Sequence, residues 1–280
     1  MSILFKIKNL INYILKLILV IISNYGIKIN NPFKISYFLI LYFINMFKYK
    51  KKYKSSSLSY VKKFPVNMKS LIPIVTDISA QSGKASGVYF FQDIWAANKI
   101  FQERPKMHVD IGSRIDGFVS HLLVFMSVTV IDIRPLKSSH PNLTFVQSDA
   151  TNLSEIKDNS IMSLSTLHAT EHFGLGRYGD KIDPNAPFIF IKNLIRVLKP
   201  GGKLYFSVPI GEEKLIYNAN RVFSPFTILK AFNKLKLLEF SAIEKKGKLI
   251  NDARIENWIE NKYCCGLFVF YKEKSKIYRK

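Results

Sequence analysis

The stretch Met107–Gly117, with the sequence MHVDIGSRIDG, decides the fold of this chain. His108–Ile111 is typical of a buried strand, Gly112 stops that strand, and a helix is predicted to begin near Ile115. In doubly wound α/β sheets, a corner of this kind lies at the carboxyl edge of the sheet, where nucleotide-like ligands bind. We therefore expect a small-molecule-binding α/β domain built around this corner.

A regular alternation of strands and helices follows the corner. An amphipathic helix over 89–102 precedes it. Asp183 with Pro184, and Ser224 with Pro225, are predicted to start two later helices as N-cap and first helical residue. These patterns predict an α/β fold, a Rossmann-like doubly wound sheet. The predicted strands span 128–132, 143–146, 161–166, 203–208, 236–242 and 265–271, and the predicted helices span 115–126, 185–198 and 225–233.

The positive charge of the chain is concentrated at its beginning. The formal net charge is +22, and thirteen lysines precede Asp77, the first acidic residue. The same region holds two apolar runs, Leu10–Ile22 and Ile35–Phe47, each of 13 residues. A spanning helix needs about 20 apolar residues. Because Lys48–Lys54 follows the second run directly, we expect residues 1–55 to form an interfacial anchor or a short re-entrant hairpin at an anionic membrane surface. A spanning segment and a helical cap on the domain are the alternatives.

The predicted organisation therefore has three parts: this segment at 1–55, a linker with a capping helix at 56–104, and the α/β domain at 105–280. No recognised nucleic-acid-binding module is present, so a nucleic-acid partner is not expected. The only cysteines, Cys264 and Cys265, are adjacent and therefore poorly placed for a disulfide or a metal site. We expect a cytoplasmic protein, peripheral at the inner face of the membrane.

Acidic residues come at the ends of three successive predicted strands. Asp110 ends the first, Asp132 follows 22 residues later, and Asp149 precedes Ala150 at the end of the third. A carboxylate at the position of Asp132 is placed to accept both ribose hydroxyls of a nucleoside. Asp149 is within reach of an adenine amino group. The series predicts one crevice lined by all three.

These motifs resemble class I S-adenosylmethionine-dependent methyltransferases, most specifically in LKPGG at 198–202. More closely, the stretches VDIGSRIDGFVSHL, VIDIRPL, STLHATEHFGLGRYGD and LKPGGKLYFSVPIG resemble a bacterial family catalogued as domain of unknown function 268. That family is methyltransferase-like and associated with surface-polysaccharide clusters. The resemblance covers about residues 105–272 and implies S-adenosylmethionine as cofactor. It also implies that the last strand is antiparallel and inserted beside its neighbour.

The resemblance assigns cofactor contacts to residues at the strand ends, and one of them departs from the methyltransferase pattern. Arg114 stands where a second glycine is usual, so its side chain either crowds the methionine end of the cofactor or pairs with a carboxylate. The expected cofactor-binding residues are Asp110, Gly112, Ser113, Arg114, Asp132, Ile133, Asp149, Ala150 and Leu167.

His168 or His172 is the expected catalytic base, taking a proton from a substrate hydroxyl. The run HATEH also matches an inverted zinc-peptidase motif, but it follows a strand instead of lying in a long helix, so no metal is expected. The loops beyond it are expected to hold substrate through Arg177, Tyr178, Asn220 and Arg221.

The predicted activity is methylation of a hydroxyl on a sugar or surface-glycan precursor. The alternative is a non-catalytic, methyltransferase-like binding module in a glycan-assembly complex. A NAD-dependent dehydrogenase is disfavoured because G-x-G-x-x-G is missing after the first strand. The sequence leaves the oligomeric state open.

Overall fold

The computed structural model of the protein describes residues 32–67, 71–74, 77–83, 85–261 and 263–274. The chain divides between residues 84 and 85 into two compact units. The predicted boundaries stand at 55/56 and 104/105, and the helix that the sequence analysis placed with the linker, Val88–Glu103, belongs to the second unit.

The described part of the first unit holds a long helix, α1, Pro32–Ser55, followed by 3-10 turns at Ser59–Lys63 and Asp77–Ser79. The hydroxyl of Tyr53 donates to the carbonyl of Lys62 over 3.1 Å, and the Lys62 ammonium donates back to the carbonyl of Tyr53 over 2.9 Å. The first turn is thereby tied to the end of α1. Among the described residues, no helix has the length and apolarity that crossing a bilayer requires. The apolar run Leu10–Ile22 lies outside them.

The second unit is organised around one eight-stranded sheet. Its strand order is β3-β2-β1-β4-β5-β10-β8-β9, and β1 to β5 are parallel. The last strand lies between β5 and β8 and is antiparallel to both, as predicted. A separate hairpin, β6–β7, was not predicted. The strands are β1 His108–Ile111, β2 Val128–Asp132, β3 Leu143–Gln147, β4 Ile161–Leu167, β5 Leu198–Ile210, β6 Lys214–Ile216, β7 Asn220–Val222, β8 Lys236–Ile243, β9 Leu249–Ile250 and β10 Cys264–Tyr271.

Helices cover both faces of the sheet, which makes the fold doubly wound as predicted. The helices are α2 Val88–Glu103, a π-helical turn Ile115–Val119 continued by α3 Ser120–Leu123, α4 Ala186–Val197 and α5 Pro225–Ala231. Residues of α4 and α5 pack in one buried cluster with Phe206 and Phe268, and residues of α2 and α3 pack in another with Tyr205 and Leu267. Since successive side chains of a strand point to opposite faces, the two clusters lie on opposite sides of the sheet.

Two helix ends differ from the prediction. Asp183 does not cap α4: its carboxylate accepts a hydrogen bond from the amide of Asn185 over 2.8 Å, forming a tight turn, and the helix begins at Ala186. An aspartate bonding two residues ahead competes with the capping geometry. The helix predicted over 115–126 ends at Leu123. Ser224 does cap α5, accepting from the amide of Phe226 over 3.3 Å, as predicted.

Candidate functional site

A cleft of about 140 Å³ opens at the carboxyl ends of β1, β2 and β4 and in the loop after β3. The chain runs outward from β1 to β2 and β3 and then returns to β4 on the other side, so the cleft lies at the switch point of the sheet. Eight residues predicted for the site line it: Gly112, Asp132, Ile133, Asp149, Ala150, His168, His172 and Tyr178.

Gly112 forms the floor of the cleft between β1 and the loop after β4. Its φ is +73°, a conformation that favours glycine, and a Cβ built there would come within 2.9 Å of the Cβ of Ala169. Its amide donates to the carbonyl of Ile131 over 3.0 Å, so the turn is also fixed to β2. A side chain at this position would fill the space where the two loops approach each other.

Asp110 lies behind that floor and is not among the residues lining the cleft. It is fully buried, and its carboxylate accepts hydrogen bonds from the hydroxyls of Ser113, over 2.6 Å, and Ser165. Burial raises the pKa of Asp110 to about 6, against the opposing effect of these hydrogen bonds. The hydroxyl of Ser113 also accepts from the amide of Leu167 over 3.0 Å. Asp110, Ser113 and Leu167 thus join the ends of β1 and β4 from behind.

Asp132 lines the cleft, but its carboxylate is engaged by a residue of its own loop. The guanidinium of Arg134 donates to both carboxylate oxygens, over 3.0 Å and 2.6 Å, and the Arg134 amide donates over 2.8 Å. The same guanidinium lies 4.8 Å from the centre of the Tyr178 ring. Arg134 and Tyr178 are both exposed. They therefore cover the Asp132 carboxylate, which the sequence analysis predicts to bind the ribose.

Asp149 and Ala150 form the next part of the same wall. The Asp149 carboxylate accepts from the amide and the hydroxyl of Thr151, over 2.8 Å and 2.7 Å, through a single oxygen, Oδ1. Ile133 and Ala150 add apolar surface beside Ile131. This wall offers two carboxylates above an apolar base.

His168, on the opposite wall, is held at both ring nitrogens. Its Nδ1 lies 2.7 Å from Oε1 of Glu171, and its Nε2 lies 3.2 Å from the Sγ of Cys265. Burial lowers the pKa of His168, but the Cys265 sulfur and the Glu171 carboxylate together raise it well above 6.5. An imidazole that is charged and donates from both nitrogens has no lone pair for a substrate proton.

The network continues beyond His168 into the core of the sheet. The hydroxyl of Ser207 accepts from the His168 amide over 3.1 Å and donates to the Gln92 carbonyl oxygen over 2.7 Å. The Cys265 thiol also faces that oxygen, at 3.7 Å. Gln92, Ser207 and Cys265 come from α2, β5 and β10, so three elements contribute to the network that holds His168.

His172 has a different environment from His168. Its Nδ1 lies 2.6 Å from the carbonyl oxygen of Ala219 and must donate to it, which leaves Nε2 with a lone pair. The Nε2 atom is 3.7 Å from Oε1 of Glu171. Burial lowers the pKa of His172 from 6.5, with the Glu171 carboxylate acting in the opposite direction. A neutral imidazole with a free lone pair is suited to accept a proton at pH 7.

Two of the four residues predicted to hold substrate connect the β6–β7 hairpin to the loop after β4. Nη1 of Arg221 donates to the carbonyl oxygen of Phe173 over 2.7 Å, and Nη1 of Arg177 donates to that of Ala219 over 2.9 Å. Arg177, Asn220 and Arg221 are not among the residues lining the cleft, whereas Tyr178 is. The hairpin and the loop after β4 are therefore connected through guanidinium–carbonyl contacts.

Arg114, at the position where a second loop glycine is usual, has two partners near the loop. Its guanidinium pairs with the carboxylate of Asp116 over 3.2 Å and lies 5.1 Å from the centre of the Tyr89 ring. The side chain is half-exposed and does not line the cleft. The Arg114 guanidinium therefore has a carboxylate of its own loop as its partner, and its contact with a cofactor stays a prediction.

The sequence analysis missed Arg134 and the Gln92–Ser207–Cys265 network. An arginine two residues after Asp132, within the quoted stretch VIDIRPL, is a signal for the first, since a side chain at that spacing can fold back. The Gln92–Ser207–Cys265 network has no such signal in the sequence, because its members come from distant parts of the chain. Within the described ranges, no group of three or more histidine, cysteine or acidic side chains is arranged to hold a metal ion.

Comparison with known families agrees with the sequence motifs. The family model described as "Caenorhabditis protein of unknown function, DUF268" matches residues 144–265, which confirms the resemblance to that family. No curated protein matches the chain.

Three solved structures that are similar to this chain serve as examples. The 1,6-didemethyltoxoflavin-N1-methyltransferase of Burkholderia thailandensis is 14% identical, covers 65% of this chain and 79% of its own, and has a TM-score of 0.48. The N-methyltransferase NodS of Bradyrhizobium japonicum is 15% identical, covers 66% of this chain and 88% of its own, and has a TM-score of 0.44. The cyclase SpnF is 13% identical, covers 65% of this chain and 81% of its own, and has a TM-score of 0.47. At these identities the likeness concerns the fold alone.

Proposed function

We propose that the chain binds S-adenosylmethionine in this cleft and transfers its methyl group to a hydroxyl of a sugar or surface-glycan precursor. The observation that carries the proposal is that Gly112, Asp132 and Asp149 meet in one cleft at the switch point of the sheet. The resemblance to class I methyltransferases and to the domain of unknown function 268 family supports the choice of cofactor and of acceptor.

The residues present fit such a cofactor. At the floor, Gly112 lines the cleft with backbone alone, and a Cβ there would press against the Cβ of Ala169. In the proposal, Asp132 binds the ribose hydroxyls and Asp149 binds the adenine amino group. Small-molecule sites usually have volumes above about 300 Å³, so the cleft of about 140 Å³ has to widen. Arg134 and Tyr178 are exposed and are the side chains that would move.

The proposed chemistry needs one proton acceptor and good alignment. When bound, S-adenosylmethionine supplies an electrophilic methyl group on a sulfonium. In the proposal, Nε2 of His172 accepts the hydroxyl proton of the acceptor, and Glu171, beside both histidines, stabilises the imidazolium that forms. Methyl transfer depends chiefly on proximity, so the cleft contributes by holding the two reactants in line.

The acceptor hydroxyl would enter past Tyr178 and His172, whose rings pack edge to face at 5.6 Å. The exposed Tyr178 ring offers an apolar face of the kind on which a sugar ring stacks.

Calorimetric titration of the full chain with S-adenosylmethionine and S-adenosylhomocysteine tests the proposal. We expect micromolar binding, lost in Asp132→Asn and kept in Asp252→Asn, a matched change at an exposed turn. Absence of binding by a demonstrably folded chain would overturn the assignment and favour a docking module, which needs no cofactor.

A further inference from the structure

Helix α1 presents an apolar stripe to solvent. Tyr37, Ile40, Ile44 and Phe47 recur at spacings of three and four residues and lie within about 100° of the helix circumference. Each of these side chains is at least 42% exposed. They cover about 15 Å along the axis. Isolated exposed apolar side chains are ordinary, but four in one row form a surface that suits an apolar partner.

The same stripe continues into lysines. Lys51 and Lys54 follow Phe47 at the same spacing, and Lys48 and Lys52 flank them. All four are exposed. In the described part of the chain, none of them has a carboxylate within ion-pair distance, and the sequence has no acidic residue before Asp77. An uncompensated positive cluster therefore borders the apolar stripe directly.

The turn after α1 adds to this cluster. The hydroxyl of Tyr49 donates to the carbonyl oxygen of Phe64 over 3.3 Å, and the contacts between Tyr53 and Lys62 hold the turn against the last part of the helix. As a result, Lys63 and Phe64 are exposed beside the lysines of α1. Apolar and basic groups alternate on this surface also.

We propose that this surface of α1 binds an anionic lipid bilayer, with Tyr37, Ile40, Ile44 and Phe47 in the interfacial layer and the lysines on the lipid phosphates. Lysine suits this arrangement because its apolar stem lies along the hydrocarbon boundary while its ammonium group stays in water. A nucleic acid would satisfy the lysines but would leave the row of isoleucine and phenylalanine side chains without a partner. A second copy of the chain would bring like charges together.

Sedimentation of the full chain with unilamellar vesicles tests this proposal. We expect binding to mixed phosphatidylcholine–phosphatidylglycerol vesicles, weak binding to phosphatidylcholine alone, and loss of affinity as salt is added. The variant K48Q/K51Q/K52Q/K54Q should bind roughly 600-fold more weakly, since each of the four lysines near the surface contributes about fivefold.

The matched control is K157Q/K199Q/K234Q/K246Q, which removes the same charge from exposed positions of the second unit and should leave vesicle binding nearly unchanged. A second variant, I44S/F47S, keeps every charge and should also weaken binding, because it removes only apolar surface. Thermal melts establish that all three variants are folded.

Several results would overturn the proposal. One is equal binding to both vesicle types. Another is an equal loss of vesicle affinity in the α1 lysine variant and in the control lysine variant. Tighter binding to a single-stranded homopolymeric RNA than to the vesicles would assign the surface to nucleic acid. A dimer that I44S/F47S dissociates, with vesicle binding intact, would assign it to a second copy.

Discussion

The two walls of the cleft are built in opposite ways. On the β2–β3 wall, the carboxylates of Asp132 and Asp149 bond only to residues two positions ahead, Arg134 and Thr151. On the β4 wall, His168 is held by contacts that reach α2, β5 and β10. Local contacts with exposed side chains can break without disturbing the fold, whereas a buried network cannot. The first wall is therefore suited to admit a ligand and the second to hold catalytic groups in place.

The largest expected effect comes from His172, whose Nε2 carries a lone pair that can accept a proton. His172→Gln should lower turnover about 10²–10⁴-fold, the usual contribution of a general base. Release of S-adenosylhomocysteine, measured across a panel of nucleotide sugars, is the readout. Because the pKa of His172 lies below 6.5, the wild-type rate should be constant near pH 7 and fall only at lower pH. Unchanged turnover in this variant would remove His172 from the mechanism.

Glu171→Ala should break the buried network and destabilise the second unit by about 3 kcal/mol, because it leaves a charged His168 buried without its partner. Urea denaturation measures the change, and Glu256→Ala, at an exposed position, is the control, expected within about 0.5 kcal/mol of wild type. Since the pKa of His168 is raised, the wild-type stabilisation should be complete below pH 6.5 and decline as pH rises through the folded-state pKa. Equal stability of the two variants would contradict a structural role for this wall.

Gly112→Ala tests the floor that joins the two walls. The substitution places a Cβ in the left-handed region and against Ala169, and should cost about 2 kcal/mol. Gly179→Ala is the control, because Gly179 also has a positive φ, +82°, but a Cβ there meets nothing within 4 Å. The difference between the two melting curves therefore isolates the close contact. Equal stability of the two variants would mean that the loops at Gly112 and Ala169 move apart at little cost.

The smallest effect is expected on the β2–β3 wall. Arg134→Ala frees the Asp132 carboxylate from its guanidinium partner and should tighten S-adenosylmethionine binding by up to about fivefold, since exposed ion pairs typically contribute no more than about 1 kcal/mol. Calorimetry measures the change, with Arg114→Ala, another exposed arginine paired two residues away, as the control. Weaker binding in Arg134→Ala would show that Arg134 holds the ligand and does not compete with it.

The sheet and the floor of the cleft were accessible from sequence because local patterns specify them. The strand–glycine–helix corner at Met107–Gly117, the LKPGG element and the acidic strand ends predicted the parallel sheet and the place of the cleft correctly. Ser224 and Pro225 likewise predicted the start of α5. Each of these signals lies within a few residues of the structure that it specifies.

The roles of the site residues were less accessible because they depend on partners distant in sequence. Asp110 has the spacing of a ligand-binding residue, yet Ser165, 55 positions later, draws its carboxylate behind the floor. His168 and His172 are equivalent by sequence, and Cys265 and Ala219 make them different. Sequence periodicity carries no information about such pairs.

The position of β10 has a consequence for how the protein is made. This strand follows β8 and β9 in the chain but lies between β5 and β8 in the sheet, so the sheet stays interrupted until the ribosome has produced residues 264–271. Until then β5 and β8 each expose an edge able to pair with another nascent chain. A message cut short before codon 264 would therefore yield an aggregating product and not merely a smaller protein.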